Sequence, residues 1–457
     1  MNIENNIFRE YDIRGIASID LTDEAVFKIG QAYGTIAQNK KIIKVAIGQD
    51  VRLSSPYIAN NLIKGIISTG LDVIDLGICP TPLLYFALYQ LEIGGGIMVT
   101  GSHNPPEYNG LKLCLGKDTI YGKEIQNIRK VIEEESFRQG NGKVSNFNIT
   151  TEYINYLLHK FQDLKNDNYK IKVVIDCGNG TGGLVAPEIL KSLNCEVIEL
   201  YSKPDGNFPN HHPDPTVPEY LQDLIKTTMK EKADAGIAYD GDTDRIGVVD
   251  ELGNIIWGDK LMIIFSREIL KNNPKAKFIG EVKCSDLMYQ DIQNHGGTPI
   301  MWKTGHSLIK AKMKEEQALL AGEMSGHMFF ADRYFGFDDA IYTTCRLIET
   351  LKHNKRKLSD LLADLHSTFS TPEIRVDCPD HLKFKIVEEI KNKFKDKYEI
   401  IDIDGVRIKF SDGWGLIRAS NTQPVLVLRF EATSNNHLNK IRNLIEDRLF
   451  KIIKIYC

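Results

Sequence analysis

The chain has 457 residues, of which 42% are hydrophobic, 57 are basic and 61 are acidic. At about 150 residues per domain, this length predicts about three domains, with two or four also compatible. The apolar content excludes a disordered chain. A net charge of -4 excludes the broad basic surface of a nucleic-acid or polyanion binder. A small anionic ligand remains compatible, because it needs only a local cluster of charge.

The cysteine pattern and the first residues indicate a soluble, reduced protein. The sequence has eight Cys and no Cys-x-x-Cys pair, which argues against a disulfide scaffold and a zinc ribbon. The opening Met-Asn-Ile-Glu-Asn-Asn has neither the basic nor the apolar region of a signal peptide. No apolar run approaches the roughly 18 residues of a membrane span. We therefore expect a cytoplasmic protein with no nucleic-acid partner and no membrane partner.

Short β-branched runs alternate with helical patterns through three successive rounds of the chain. The predicted strands are 44–50, 72–76, 96–100, 172–177, 196–200, 235–239, 278–282 and 299–302. The predicted helices are 54–69, 183–193, 218–230, 259–270, 285–294 and 306–314. This alternation is typical of parallel βαβ units in α/β domains.

The last part of the chain, from about Ser370, has a different pattern. Its predicted strands meet through short turns and are 373–376, 406–410, 415–418 and 425–430. Its predicted helices are 381–394 and 438–449. Strands joined in this way favour a small antiparallel α+β domain. Together with the three α/β rounds, this gives four domains of about 110 residues each.

The densest polar segment is Thr100–Gly110, with the sequence TGSHNPPEYNG. It follows a predicted strand, and ligands of α/β domains usually bind at the carboxyl ends of strands. Ser102 stands there between small or polar neighbours, and His103 and Lys112 could supply positive charge or move protons. An isolated Gly-Ser-His triplet is more often a plain turn with an exposed hydroxyl.

The second segment, Asp240–Arg245, has the sequence DGDTDR and lies between two predicted strands. Its three carboxylates at alternate positions can converge on one hard cation such as Mg²⁺ or Ca²⁺. A calcium loop of the helix–loop–helix type is disfavoured, because Arg245 stands where that loop needs glycine. An enzyme that uses Asp240 as its nucleophile and a solvated acidic turn both remain alternatives.

Three weaker segments complete the set of candidates. Gly322–His327 (GEMSGH) offers a carboxylate and a hydroxyl that suit sugar hydroxyls, although a polar turn is the commoner explanation. Arg418–Gln423 (RASNTQ) offers a guanidinium, two hydroxyls and an amide that suit a phosphate, although a capped β-turn is also compatible. Phe8–Gly15 (FREYDIRG) contributes two arginines, which usually just lie in solvent.

Together and in this order, the five segments resemble the α-D-phosphohexomutase superfamily. The resemblance runs from Phe8 to about Glu431 and is strongest to the bacterial phosphomannomutase/phosphoglucomutase group. The motifs that favour this group are GEMSGH, DGNFPNHHPDP at Asp205–Pro215 and KTGHS at Lys303–Ser307. It implies four domains around one central cleft: three α/β domains with mixed sheets and a C-terminal α+β domain. We expect these at 1–147 (phosphoserine loop), 148–254 (magnesium loop), 255–368 (sugar loop) and 369–457 (phosphate loop).

The resemblance also implies a role for each candidate residue. Ser102 would be a phosphoserine that donates and recovers a phosphoryl group. The implied Mg²⁺ ligands are Ser102, through its phosphate, and Asp240, Asp242 and Asp244. The implied basic groups around phosphoryl and proton transfer are Arg14, His103, Lys112, Arg245 and His327. The implied sugar-binding residues are Lys283, His306, Glu323 and Ser325. The implied residues for the non-reacting phosphate are Tyr11, Arg418, Ser420, Asn421 and Thr422.

These roles predict an isomerase of carbohydrate metabolism that interconverts hexose 1-phosphates and hexose 6-phosphates of mannose, glucose or both. Phospho-Ser102 would give its phosphoryl group to the sugar, and a hexose 1,6-bisphosphate would turn over and return the other phosphoryl group. Lys112 and His327 are the candidates for acid–base catalysis, and the sequence does not separate them. A non-catalytic sugar-phosphate binder and a phosphatase are the competing hypotheses. The resemblance favours a monomer whose fourth domain closes the cleft.

Overall fold

The computed structural model describes residues 7–421 and 423–456. Four β-sheets follow one another along the chain, and helices pack against each of them. The predicted fold class, three α/β domains with mixed sheets followed by an α+β domain, is confirmed. Within the described residues, no helix combines the length and apolarity that crossing a membrane requires.

The first sheet has seven strands in the order β1-β5-β4-β2-β3-β7, with β6 paired to β5. The strands are β1 (Ile13–Ile16), β2 (Lys44–Gln49), β3 (Asp72–Ile78), β4 (Gly95–Val99), β5 (Tyr108–Leu115), β6 (Asp118–Thr119) and β7 (Val144–Asn146). The helices are α1 (Asp23–Asn39), α2 (Ser55–Ile67), α3 (Thr81–Gln90) and α4 (Lys123–Glu133). Strands β2, β3, β4 and β7 pair in parallel, whereas β5 is antiparallel to both of its long neighbours.

The second sheet has five strands in the order β12-β11-β10-β8-β9. The strands are β8 (Ile171–Asp176), β9 (Cys195–Leu200), β10 (Ala235–Tyr239), β11 (Ile246–Asp250) and β12 (Ile255–Ile256). The helices of this part are α5 (Ile149–Lys160), α6 (Ala186–Ser192) and α7 (Gln222–Glu231). Because β12 pairs with β11, this sheet extends to Ile256, two residues past the expected boundary at residue 254.

The third sheet has the order β14-β13-β15-β16, and the fourth has the order β17-β22-β21-β20-β19 with β18 paired to β22. The strands of the third sheet are β13 (Lys277–Glu281), β14 (Thr298–Trp302), β15 (Leu320–Gly322) and β16 (Met328–Phe330), and its helices are α8 (Gly258–Leu270), α9 (Asp286–Asn294), α10 (His306–Glu316) and α11 (Ala340–Asn354). The fourth sheet consists of β17 (Phe369–Ser370), β18 (Ile374–Asp377), β19 (Ile400–Ile401), β20 (Val406–Phe410), β21 (Gly413–Ala419) and β22 (Val425–Ala432), packed against α12 (Asp380–Phe394) and α13 (Asn435–Tyr456). All pairs in the fourth sheet are antiparallel.

Antiparallel hairpins position the candidate loops. The expected parallel βαβ units are present, but each of the first three sheets also carries an antiparallel pair: β4 with β5, β10 with β11, and β15 with β16. These pairs enclose the segments of Ser102, Asp240 and Glu323, and the β21–β22 pair encloses the Asn421 segment. Four of the five predicted segments are therefore hairpin loops, one from each sheet.

The apolar cores group the sheets unequally. One continuous cluster of buried residues runs from the first sheet through the second and third, whereas the fourth sheet and its two helices have a cluster of their own. Only a small patch around Val282 and Trp414 joins the third and fourth domains through apolar contact among the described clusters. The fourth domain is thus the most independent body of the fold.

Candidate active site

Contacts between neighbouring loops bring the hairpins together in one cleft. Ile246 N donates a hydrogen bond to Gly326 O at 3.1 Å, and Arg245 forms a β-bridge with His327, so the second and third hairpins are joined by backbone. Thr81, at the start of α3, donates from its backbone N to Asp242 O at 2.9 Å and from Oγ1 to Asp242 Oδ2 at 2.5 Å. A helix N-terminus favours negative charge, so α3 supports the acidic loop.

Ser102 is buried and faces the acidic loop. Its Oγ donates to Asp240 Oδ2 at 2.8 Å and lies 3.1 Å from His103 Nδ1. Its φ of +48° is in the left-handed region, which L-residues with a side chain rarely adopt. Burial, together with Arg245 and Arg14, lowers the pKa of His103 well below its usual value, so the imidazole is neutral. The predicted serine is therefore presented in a constrained conformation beside a carboxylate.

The three aspartates of the acidic loop are fully buried, and their oxygens converge. One ligand atom from each lies within 4.8 Å of the others. Lys112 Nζ pairs with Asp242 Oδ2 at 2.7 Å and also with Asp244 Oδ2. Asp242 Oδ1 and Asp244 Oδ1 have no hydrogen-bond partner among the described residues. Buried, unpartnered carboxylate oxygens are suited to a hard cation, so the donor set fits Mg²⁺ or Ca²⁺.

The charges in this loop perturb one another strongly. Burial raises the pKa of Asp240 well above its usual value, and Asp242 and Asp244 raise it further by repulsion. Burial opposes the charge of Lys112, yet Asp242 and Asp244 more than compensate and raise its pKa. Lys112 is therefore a protonated ammonium that partly neutralises the acidic loop.

His327 links the acidic loop to a second buried carboxylate, Asp338. Its Nε2 accepts a hydrogen bond from Arg245 Nε at 3.0 Å, and its Nδ1 lies 3.1 Å from Asp338 Oδ2. Neither His327 Nδ1 nor Asp338 Oδ2 has a hydrogen-bond partner among the described residues, although the two atoms lie close together. Asp244, His327 and Asp338 also lie closely enough together to hold a metal ion, which makes them a second candidate set of ligands in this cleft.

The third hairpin presents a network of carboxylates and donors. Glu323 Oε1 accepts from Gly305 N at 2.7 Å, and its Oε2 accepts from Ser325 Oγ at 3.0 Å. The buried Lys283 Nζ lies between two carboxylates, 3.4 Å from Glu281 Oε1 and 3.1 Å from Glu373 Oε2. Glu323 and Ser325 are thus hydrogen-bonded to each other, and their sugar-binding role stays a prediction.

The fourth hairpin meets the N-terminal segment. Asn421 Nδ2 donates to Tyr11 Oη at 2.6 Å, and Tyr11 Oη donates to Thr304 O at 3.0 Å. Arg418 is buried and its Nε donates to Asp404 Oδ2 at 3.0 Å. Ser420, also buried, accepts from Gln423 N through Oγ. Thr422, the remaining residue predicted for this loop, lies outside the described residues.

Shared contacts connect the predicted residues into one network. His306 stacks on His327 with ring centroids 5.8 Å apart and meets the Tyr11 ring edge-on at 6.3 Å. Arg14 donates to Asn104 of the serine loop at 2.9 Å and pairs with Asp12. The structure therefore brings the predicted residues that it describes to one cleft, while their individual roles stay predictions.

Several polar residues of this network were not identified from the sequence. Asp50 and Arg52 hold the serine loop, Asp338 joins His327 to Lys310, and Thr81 supports Asp242. None of them lies in a dense polar segment of the kind that marked the five predicted loops. The only available signal was the place of Asp50, at the carboxyl end of a predicted strand.

Comparisons with known proteins agree with this geometry. Models of the alpha/beta/alpha domains I, II and III of phosphoglucomutase/phosphomannomutase match residues 5–139, 151–253 and 257–369, and the model of the C-terminal domain matches residues 373–448. A phosphomannomutase/phosphoglucomutase of Pseudomonas aeruginosa is 45% identical over 445 residues, which are 97% of this chain and 95% of that protein. A phosphoglucomutase of Neisseria gonorrhoeae is 45% identical over 447 residues, 97% of this chain and 96% of that protein.

A solved structure has the same architecture over the whole chain. The crystal structure of a phosphoglucomutase/phosphomannomutase family protein from Burkholderia thailandensis superposes with a TM-score of 0.92 at 41% identity, covering 98% of each chain. The four matching domain models, the long relatives and this superposition lead to the same conclusion: the chain belongs to the phosphoglucomutase/phosphomannomutase family.

Proposed function

We propose that this chain is a phosphohexomutase that interconverts hexose 1-phosphate and hexose 6-phosphate, with mannose, glucose or both as the sugar. The observation that carries the proposal is the buried Ser102 Oγ, held 2.8 Å from Asp240 at the edge of a converging acidic triplet. A seryl oxygen at that place can carry a phosphoryl group whose charge a cation on the aspartates offsets.

In the proposed cycle, phospho-Ser102 transfers its phosphoryl group to the free 1- or 6-hydroxyl of a bound hexose phosphate. The P–O bond to Ser102 breaks, a P–O bond to the sugar forms, and the hydroxyl proton is taken up and passed to the seryl oxygen. The hexose 1,6-bisphosphate then turns over in the cleft and gives its other phosphoryl group to Ser102. The two half-reactions balance, and the enzyme regains its phosphoserine.

The acidic triplet supports a Mg²⁺ site made of Asp240, Asp242, Asp244 and the phosphate of Ser102. The unpartnered oxygens of Asp242 and Asp244 are the observation that fits this ion. When bound, Mg²⁺ would offset the charge of the transferring phosphoryl group. Lys112 already pairs with two of the three carboxylates, and it shares the acid–base candidacy with His327.

Substrate recognition is assigned to the third and fourth hairpins. Glu323 and Ser325 would bind sugar hydroxyls, with Lys283 and His306 beside them. The non-reacting phosphate would be held by Tyr11, Arg418, Ser420, Asn421 and Thr422. Since the bisphosphate turns over, these groups must accept the sugar in two orientations, which a site built from separate domains allows.

Three broader features belong to the same proposal. We assign the domains to residues 1–147, 148–256, 257–368 and 369–457, with the second boundary moved to keep β12 in its sheet. The separate core of the fourth domain supports its closing over bound sugar. We also propose that the enzyme is a monomer and that it acts in the cytoplasm.

One assay tests the proposal against its two competitors. Purified protein with Mg²⁺, glucose 1-phosphate and a trace of glucose 1,6-bisphosphate should form glucose 6-phosphate without release of free phosphate. Free phosphate as the main product would indicate a phosphatase, and binding without any product would indicate a non-catalytic protein. The ratio of kcat/KM for mannose 1-phosphate to that for glucose 1-phosphate then defines the preferred sugar.

Substitution of the proposed nucleophile sharpens the test. Ser102→Ala should nearly abolish turnover and leave the melting temperature close to that of the wild type. Ser202→Ala, which alters a half-buried serine 3.6 Å from Cys177 Sγ, is the matched control and should keep full activity. Near-wild-type turnover by Ser102→Ala would remove the seryl oxygen from the proposed chemistry.

A further inference from the structure

Arg52, a buried arginine outside the predicted motifs, forms hydrogen bonds with the serine loop. The Arg52 side chain is 0% exposed, and its two terminal nitrogens donate to four backbone carbonyls of the loop. Nη2 donates to Ser102 O at 2.8 Å and to Asn104 O at 2.5 Å, and Nη1 donates to Pro105 O at 2.6 Å and to Tyr108 O at 3.0 Å. The planar guanidinium fork is the side chain that can serve so many acceptors at once.

A buried carboxylate holds the other end of this assembly. Asp50 Oδ2 accepts from Thr100 Oγ1 at 2.8 Å and from Gly101 N at 3.1 Å, while its Oδ1 accepts from Arg52 N at 2.9 Å. Asp50 Oδ2 also lies 3.3 Å from Arg52 Nε, which completes an ion pair away from water. We refer to these two residues as the Asp50–Arg52 clamp.

The clamp acts on the backbone at Ser102 itself. A Cβ on Gly101 would lie 2.5 Å from Arg52 Nε and 2.6 Å from its Cζ, so glycine is required for the guanidinium to lie against the loop. The next residue, Ser102, has a φ of +48°, a left-handed conformation that is strained for a residue with a side chain. The hydrogen bonds of the clamp hold the backbone on both sides of Ser102 in this conformation.

The clamp also touches the second domain, which carries the acidic loop. The Phe208 ring lies 5.3 Å from Arg52 Cζ, and a Cβ on Gly206 would meet Val51 O at 2.4 Å. The backbone between the two clamp residues is thus packed closely against the second domain. The seryl oxygen and the carboxylates that it faces are therefore held by one continuous packing unit.

We propose that the Asp50–Arg52 clamp is a positioning device that fixes the Ser102 oxygen in line for phosphoryl transfer in both directions. This inference rests on the proposed function, because it assigns the clamp to the same serine. Neither residue forms a hydrogen bond with any described residue assigned to the sugar. The clamp acts through the loop backbone, so it should govern the chemical step and leave substrate affinity almost unchanged.

The test replaces the planar guanidinium of Arg52 by the single ammonium group of lysine. Arg52→Lys keeps the positive charge, but a single ammonium cannot reach four carbonyls. We expect kcat to fall about 100-fold, because a misplaced reacting atom costs that much, while KM for glucose 1-phosphate stays within about threefold. The rate at which a labelled phosphoryl group moves from glucose 1,6-bisphosphate to Ser102 should fall by the same factor as kcat.

A matched control separates positioning from general stability. Arg346→Lys alters another buried arginine, which donates to Asp332 O at 3.1 Å and lies over the Phe330 ring, away from the serine loop. It should lower the melting temperature comparably and leave kcat per folded molecule unchanged. All rates are measured well below the melting temperature and normalised to folded protein.

Asp50→Asn keeps the proposal testable even if Arg52→Lys does not fold. In this variant an amide NH2 group replaces one carboxylate oxygen, so a hydrogen-bond donor faces the donors that this oxygen accepted from. We expect kcat to fall about tenfold with KM unchanged. A kcat within about twofold of the wild type in Asp50→Asn, or in a folded Arg52→Lys, would overturn the positioning role. Failure of the proposed function is a different result, since wild-type protein would then form no glucose 6-phosphate.

Discussion

The hydroxyl of Tyr11, in the first domain, forms hydrogen bonds with the third and fourth domains. Its removal should therefore open the cleft. It donates to Thr304 O at 3.0 Å in the third domain and accepts from Asn421 Nδ2 at 2.6 Å in the fourth. Tyr11→Phe removes both bonds, and each is worth about 1 kcal/mol where the former partners can regain water. The closed arrangement would lose about 2 kcal/mol, which lowers the ratio of closed to open molecules by about 30-fold.

Kinetics and scattering can both detect this change. We expect KM for glucose 1-phosphate to rise by up to that factor, because the apparent affinity follows the fraction of binding-competent molecules. Solution X-ray scattering without substrate should give a larger radius of gyration for Tyr11→Phe. Because no sugar is present in that measurement, it separates domain closure from direct contact of Tyr11 with a phosphate.

The matched control is Tyr201→Phe. Its hydroxyl donates to Asp223 Oδ2 at 2.7 Å within the second domain, where no closure is involved. This variant should match the wild type in both measurements. If Tyr11→Phe keeps both KM and the radius of gyration at wild-type values, the Tyr11 hydroxyl does not hold the cleft closed.

Three further predictions concern other parts of the molecule. Mg²⁺ added to chelator-treated protein should stabilise the folded state by about 2.7 kcal/mol at a hundredfold excess over Kd and thereby raise its melting temperature, and Asp244→Asn should remove that shift. Gly241→Ala should lower kcat about 100-fold, since its Cβ would lie 2.5 Å from Ser102 O and push the two loops apart; normal kcat would refute this. Burial raises the pKa of Asp339 to about 6, against 3.8 for an ordinary aspartate. The folded state therefore gains stability as the pH falls from about 7 to about 5, and calorimetry should show Asp339→Asn without that gain.

The candidate site was predictable from the sequence because each of its loops is compact in sequence. A segment such as Asp240–Arg245 concentrates several functional groups within six residues. The two strands of its hairpin are also neighbours in sequence, so the segment can be recognised without information about distant contacts. Arg52 and Asp338 lacked such a signal. Arg52 acts on carbonyls about 50 residues away, and backbone carbonyls leave no trace in the pattern of side chains.

Two of the five helices that the sequence patterns missed, α1 and α3, have identifiable physical reasons. In α3, eight of the ten residues are buried, so no polar face marks its period. In α1, Gly30 and Gly34 lower the helix propensity. Both are needed where α1 crosses α2, because a Cβ on Gly30 would lie 2.4 Å from Leu62 O. Close packing between helices thus selected residues that obscure the helical signal.

The net charge of -4 conceals a cleft whose positive charges are already paired. Four of the basic residues assigned to the site have carboxylate partners: Arg14 with Asp12, Lys112 with Asp242 and Asp244, Lys283 with Glu281 and Glu373, and Arg418 with Asp404. These pairs avoid the cost of a buried uncompensated cation and hold each head group in place before ligand arrives. An incoming phosphate must therefore share each cation with its carboxylate. Such sharing keeps the affinity for either end of the bisphosphate moderate, and moderate affinity is what a sugar that has to release, turn over and bind again requires.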